Sequence, residues 1–442
     1  MQMINTKKSL RGIFFVTTLI VIIAVCLSSC TAGSNTVLSK EELRENIGTE
    51  GRTLSTVWQY YDAWEFPKFD KTKLKTIENA FATYYYLDLP DIKEHAVASA
   101  NYFLDTFYDK TNLSDSDAVT DALIKSYVYA IGDKYSRYMT SSEYGVHQND
   151  ISGSFVGIGV TVTKEQDHLL VNSVIDDGGA YVAGIKANDK ILAVDGALIS
   201  EIGAENAVNH IGGEIGTTVT LTIERAGERF DTVITRKLII DKTVKYTVTE
   251  KIAYVRITEF KSNTDEQFKE AIDAILASEV EGIIYDLRNN TGGTLSSVVN
   301  MLDYVTEDGI TIASFTNNAG SPMVASDGHS FSLPTVVITN GLTASAAELF
   351  TQGLCDFADM GQFDCVTVGT VTYGKGVMQR TFSLRDGSAI TITVAYYNPP
   401  SGVNYHGVGI IPDYPVEATE DDAQLSEAFV RINEIINSQE IN

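Results

Sequence analysis

Serine, lysine and glycine recur at three points of the C-terminal half in surroundings that suit nucleophilic chemistry. The segment Ile338-Thr339-Asn340-Gly341-Leu342-Thr343-Ala344-Ser345-Ala346-Ala347-Glu348 reads as the end of a buried strand, a tight Asn-Gly element and a small-residue run opening a helix. A serine there projects from a sharp turn, and the unpaired N–H groups of a helix N-terminus can hold an oxyanion. Taken alone, a Ser or Thr before a helix is more often a cap. The segment Gly369-Thr370-Val371-Thr372-Tyr373-Gly374-Lys375-Gly376 imitates the phosphate loop GxxxxGK. It fails at the next position, where Gly376 replaces the Ser or Thr that would hold magnesium, and Val377–Phe382 reads as a strand rather than a helix. Nucleotide binding is therefore rejected. The glycines instead bend the backbone tightly around Lys375. Burial disfavours a charged amine, and a neutral amine can take a proton from a serine hydroxyl. The competing reading is a solvated surface lysine. In Asp286-Leu287-Arg288-Asn289-Asn290-Thr291-Gly292-Gly293, paired glycines at a strand-to-helix turn expose N–H groups that suit the other half of an oxyanion hole; the competing reading is a plain turn.

Other chemistries find less support. His95, His147, His168, His210, His329 and His406 are scattered, and none sits in a catalytic motif. No HExxH or Cys/His metal spacing occurs, so neither a metal nor another cofactor is expected.

The elements that must position these residues fall into three regions. Residues 51–150 show helical periodicity: Leu74, Ile77, Phe81 and Tyr84; Val97, Ala100, Leu104 and Phe107; then Val119, Leu123, Tyr127 and Ile131, with Ser116 as N-cap. Tyr84, Tyr85, Tyr86, Tyr102 and Tyr108 read as core aromatics. Residues 151–240 turn to glycine and β-branched residues, giving small strands and one short helix, Ala204–Ile211. From 241 to 442 the order strand (Ile252–Phe260), helix (Asp265–Leu276), strand (Gly282–Leu287), helix (Leu295–Val305), strand (Thr335–Thr339), helix (Ala346–Leu354) argues for an α/β domain with a covered sheet, closed by an amphipathic helix.

Lys7, Lys8 and Arg11 precede an apolar run, Gly12–Leu27, that is short for a membrane span. Leu27-Ser28-Ser29-Cys30 follows. This looks like a bacterial lipobox: residues 1–29 would be removed as a signal peptide, and Cys30 would carry the lipid. The protein is then expected outside the cytoplasm, tethered to a bacterial membrane by acyl chains, on its periplasmic or cell-surface side, with residues 30–50 as the tether. Loss of 1–29 takes the net charge from -25 to -28. That charge repels phosphate backbones and argues against a nucleic-acid partner. Cys355 and Cys365, ten apart, are left open between a disulfide and two free thiols.

Together the segments resemble the C-terminal processing peptidases, or tail-specific proteases, across about 120–416. The likeness rests on GSFVGIGV (153–160), VDG (194–196), DLRNNTGG, TASAAE, YGKGVMQ and GIIPD (409–413), in that order. It implies an α+β multidomain chain: a helical N-terminal region, a PDZ domain over 151–240 and an α/β serine peptidase core of the ClpP/crotonase type. Ser345 resembles the nucleophile, Lys375 the general base, and Gln379 a helper that orients the lysine. Gly293 and the N–H of Ala346 resemble the oxyanion hole, with Gly292 as a substitute for the first. Residues Phe155, Gly157, Ile158 and Gly159 fall in the PDZ loop that captures a terminal carboxylate, while Ile158, Val160, Ala204 and Val208 would line its groove. Implied partners are flexible protein C-terminal tails; oligomeric state is left open, with the helical N-terminal region a place where a homo-oligomer could form. Ala347, Thr291 and Asn188 depart from the commoner family residues, as does Gly212-Gly213, which lacks the arginine often found after the PDZ helix; none removes a dyad member. Two rival readings remain: an inactive lipid-anchored PDZ adaptor, and a peptidase recruiting His406.

Overall fold

The structure, a computed structural model, describes residues 37–49, 53–317, 320 and 322–439. The signal peptide and Cys30 lie outside the described residues. The chain forms two compact units. The first comprises the described residues up to Ala82 together with Leu89–Lys134; the second comprises Thr83–Asp88 and everything from Tyr135 onward.

The first unit is helical, with helices Lys40–Asn46, Val57–Ala63, Lys71–Tyr84, Ile92–Thr106 and Ser116–Ala130. The stretch expected as a tether is helical over 40–46. Ser39 and Glu42 form a capping box, and Leu43 is fully buried, so this segment belongs to the fold. Asp115, not Ser116, caps the last helix, accepting from the N–H groups of Asp117 and Ala118. Tyr60, Tyr61, Trp64, Leu74, Phe81 and Phe103 fill the core. Of the five tyrosines read as core, only Tyr85 is buried, because the others fall at helix ends and rims. Burial pushes the Glu78 carboxyl up to about 7, although the N–H groups of Trp58 and Val57 work against it.

In the second unit a six-stranded sheet carries the strands in the order Val244–Thr249, Ile252–Ile257, Gly282–Asp286, Thr335–Thr339, Cys365–Gly369, Tyr414–Pro415. The first pair is antiparallel; all the others are parallel. The two central strands, Gly282–Asp286 and Thr335–Thr339, are buried at every position, as a sheet covered on both faces requires. Helices Thr264–Leu276, Leu295–Asp303 and Ala346–Asp359 cover one face, where Phe268, Tyr285 and Phe350 pack ring to ring. The C-terminal helix Ala423–Gln439 covers the other with Ala428 and Ile432. A second sheet joins Arg137–Met139, Ala389–Asn398, Thr311–Thr316 and Met323–Ala325, with Val377–Ser383 pairing Ala389–Asn398.

The PDZ region has its own sheet, Val160–Lys164, Leu169–Val174, Lys190–Val194, Thr218–Arg225, Glu228–Thr235, and the helix Ala204–Ile211. Its incoming strand Ser154–Gly157 pairs with its outgoing strand Lys237–Ile240 as a separate ribbon. Gly153 packs so closely on Asn263 that a Cβ would lie 2.1 Å from its Oδ1, and the Gly153 carbonyl accepts from Asn263 Nδ2 at 2.8 Å.

Candidate active site

Ser345 stands where the buried strand Thr335–Thr339 has turned into the helix Ala346–Asp359. Its backbone adopts φ 58°, ψ -120°, a left-handed setting that a residue with a Cβ occupies at a cost of about 1–3 kcal/mol. The surroundings hold it there. Its N–H donates to Glu348 Oε2 at 2.8 Å, and its carbonyl accepts from the N–H groups of Glu348 and Leu349. Ala344 N–H is bound to the Asn290 carbonyl at 2.9 Å. The turn itself is pinned by Asn340. Its Oδ1 accepts from Asn289 and Leu342 N–H, and its Nδ2 donates to Asn289 Oδ1 at 2.8 Å.

Of the two glycines of the preceding strand's turn, Gly292 lies against the serine and Gly293 against Phe260. A Cβ on Gly292 would meet the Ser345 Cβ at 2.8 Å and the Ala346 nitrogen at 2.9 Å; one on Gly293 would meet the Phe260 carbonyl at 2.1 Å. Both have positive φ, 100° and 146°. The Gly292 N–H is spent on Asn290 Oδ1 at 2.9 Å. Among the described residues, the N–H groups of Gly293 and Ala346 have no hydrogen-bond partner. Of the two glycines, therefore, Gly293 is the one with a donor to offer.

Glu348 was not singled out in the sequence beyond its place in the motif, yet it organises the site. Its carboxylate is fully buried and accepts four hydrogen bonds: from Ser345 N–H and Lys375 N–H on Oε2, and from Gly374 N–H and the Thr372 hydroxyl on Oε1. One side chain thus ties the serine's turn to the lysine's loop. The signal available in the sequence was its position, three residues after an N-terminal serine and inside a helix face that is otherwise apolar.

Lys375 places its Nζ 4.9 Å from the centroid of the Tyr135 ring. Its carbonyl accepts from the hydroxyl of Tyr397, whose side chain also hydrogen-bonds that of Ser345. Burial raises the Tyr397 hydroxyl above the ordinary tyrosine range, so it stays a neutral donor. Tyr397 thus spans the serine and lysine segments, a contact no spacing announced. Gln379, expected to orient Lys375, donates from Nε2 to the Val377 carbonyl and Thr393 Oγ1, both at 3.3 Å. A register irregularity lies between Met378 and Gln379. His406 is close by, accepting the Gly376 N–H on Nδ1 at 3.2 Å. In this arrangement Nδ1 already serves as an acceptor.

In the PDZ region, Phe155 and Gly157 lie in the ribbon strand rather than in an open loop, which leaves Ile158 and Gly159 as the loop proper. The Ile158 side chain is buried in the domain's core and does not line a groove. Val160, Ala204 and Val208 are partly buried, and the strand Val160–Lys164 is an edge of its sheet. Cys355 and Cys365 are free thiols in contact; the hydrogen bond of the Cys365 thiol with Cys355, followed by burial, raises the Cys365 thiol. No group of His, Cys, Asp or Glu able to hold a metal occurs among the described residues.

A strained serine at a helix N-terminus, flanked by unbonded N–H groups and roped to a lysine loop, is the layout of a serine hydrolase. Residues 251–416 match peptidase family S41, and residues 156–235 match the PDZ domain. The chain carries an S41 peptidase domain with a PDZ domain before it. It is 31% identical over 307 residues to a "Probable CtpA-like serine protease" of Staphylococcus aureus (strain N315), covering 69% of this chain and 61% of that protein. A protein of the same name from Staphylococcus haemolyticus (strain JCSC1435) is 31% identical over 319 residues, covering 71% and 62%. The chain thus spans about three fifths of the length of these relatives. Among solved structures it resembles the photosystem II D1 C-terminal processing protease, at 24% identity and a TM-score of 0.45, over 80% of this chain and 94% of that one.

Proposed function

We propose that this chain is a serine endopeptidase that cleaves proteins near their C-termini, with Ser345 as nucleophile and Lys375 as general base. The observation that carries the reading is the left-handed Ser345, followed by the unbonded Ala346 N–H, packed on the glycine turn that holds the unbonded Gly293 N–H, and joined to the Lys375 loop through Glu348. A substrate tail adds as a strand to the free edge at Val160–Lys164, beside Ala204 and Val208. Ser345 Oγ attacks a backbone carbonyl as Lys375 accepts its proton. The oxyanion forms between Gly293 and Ala346 N–H groups, which are aimed before the charge develops. Lys375 then protonates the leaving amine, and water hydrolyses the acyl-enzyme. The lipobox-like Leu27–Cys30 supports an extracytoplasmic, lipid-anchored placement.

The test uses the protein lacking residues 1–29 and an unstructured substrate with an apolar free C-terminus, with fragments read by mass spectrometry. Cleavage by wild type and by neither Ser345→Ala nor Lys375→Ala is the expected result. Cleavage surviving Lys375→Ala but lost in His406→Ala would move the base to the histidine. Tail binding without cleavage in every form would leave the adaptor.

A further inference from the structure

The nucleophile stands beside a rim of exposed apolar side chains that no step above uses. Leu342 lies in the turn before Ser345, Val371 and Tyr373 in the loop before Lys375, and Val408 and Ile411 in the loop 407–411. Their exposure runs from 44% for Val371 to 69% for Val408 and Ile411, which is unusual for five such residues in neighbouring loops.

The three loops are one surface. Thr372 N–H donates to the Ile410 carbonyl at 3.2 Å, and Ile410 N–H returns to Thr372 Oγ1 at 2.7 Å. Gly407 N–H donates to the Gly374 carbonyl, and Tyr373 N–H to the Thr343 carbonyl. Gly374 and Gly409 let the backbones touch: a Cβ on Gly409 would lie 2.4 Å from the Thr372 carbonyl. The surface also lacks charge. No Asp, Glu, Lys or Arg occurs from 398 to 412, nor from 366 to 374, in a chain of net charge -25.

We infer that this rim receives apolar side chains on the released, C-terminal side of the cleaved bond. The inference rests on the proposed Ser345 and Lys375 roles. The leaving amine must take its proton from Lys375, so the residues after the cut cross on the lysine's side of the serine. The rim is built from the loop that leads into Lys375 and from the loop bonded to it. An uncharged apolar surface favours apolar over polar partners there, while acidic residues meet no countercharge. The occupant is thus a substrate whose first residues past the cut are apolar, irrespective of its final residues, which the PDZ domain would read.

The test is a pair of peptides with identical last four residues, carrying Leu or Gln at the first two positions after the cut. Wild type is expected to prefer Leu in kcat/KM by roughly 10-fold or more, the scale on which apolar pockets discriminate. In Val371→Ser/Val408→Ser/Ile411→Ser the Leu-to-Gln ratio should fall to within about twofold; the ratio is internal to each protein, so a general loss of activity cancels. Val408→Asn alone, on a highly exposed side chain, gives the same direction should the triple variant fold poorly. Protection of Ser345 against a fluorophosphonate by the two peptides reads the same ratio in a slow enzyme. Labelling of Ser345 with no Leu preference, or a preference that survives in both variants, overturns the rim. A wild type that does not label at Ser345 overturns the nucleophile assignment, and the rim's role with it. A change from dimer to monomer in the variants, with the ratio intact, would instead assign the rim to self-association and overturn the inference.

Discussion

Glu348 shows how much of a site one buried carboxylate can carry. Four neutral donors converge on it from the serine turn and the lysine loop. Removing it leaves those donors without an acceptor in a fully buried place, each at a cost of about 1–3 kcal/mol. Glu348→Ala should therefore lower kcat by at least about 100-fold and lower the unfolding midpoint. Glu348→Gln, which turns an amide toward N–H groups that need acceptors, should recover little of either; wild-type kcat in that variant would remove Glu348 from the account. Gly292→Ala is expected to abolish fluorophosphonate labelling of Ser345, since the new methyl would press on the serine's own Cβ. Ser345, Lys375 and the paired glycines stood out only together: each alone also reads as a cap, a surface lysine or a plain turn, and the order of the three segments along the chain singles them out. Tyr397 and Tyr135 were not legible, because Tyr397 arrives from the strand Ala389–Asn398 and Tyr135 from a loop far earlier in the chain, and neither lies in one of the three segments. The register irregularity beside Gln379 was not legible either, because no residue pattern marks it.

Among the elements, the helix Ala346–Asp359 is the one whose seating matters most, since its first turn offers the Ala346 N–H. It is anchored by Phe350 against Phe268 and Tyr285. Phe350→Ala should cost about 3–5 kcal/mol of stability, checked by urea unfolding. The helix extends to Asp359, five residues past Leu354, because Asp356 still has buried work to do, accepting from Gln352 and from Ser401 N–H at 2.8 Å. Periodicity fixes such a helix's start better than its end when polar residues in its last turns are bonded inside the protein. The helical unit has a different sensitivity. With its carboxyl raised to about 7, Glu78 favours the fold while protonated. That contribution is complete below about pH 4.5 and is lost as the pH rises toward 7, some 3 kcal/mol in all. Glu78→Gln should thus stabilise this unit at pH 8 and leave it unchanged at pH 4. Fluorescence is a direct readout, because the chain's two tryptophans, Trp58 and Trp64, both lie there.

At the scale of the molecule, the region boundaries were legible from texture, the change to glycine and β-branched residues near 151 and the return to βα alternation near 245. The pairing of distant strands was not, and neither was the passage of Arg137–Met139 into the second sheet against Ala389–Thr391. A three-residue strand has too little periodicity to declare a partner some 250 residues on. The strand pair Ser154–Gly157 and Lys237–Ile240 has a practical meaning. Replacing residues 158–236 by an Asn-Gly turn should yield a protein that still labels at Ser345 with a fluorophosphonate but no longer distinguishes substrates by their last residues; loss of folding would show that the core leans on the excised part. Because both chain crossings leave through one two-stranded stalk, the PDZ domain is spliced in like a cassette. A different peptide-binding domain could be exchanged at the same joint, and what the chain recognises could be rewritten over evolutionary time without moving a single strand of the six-stranded sheet.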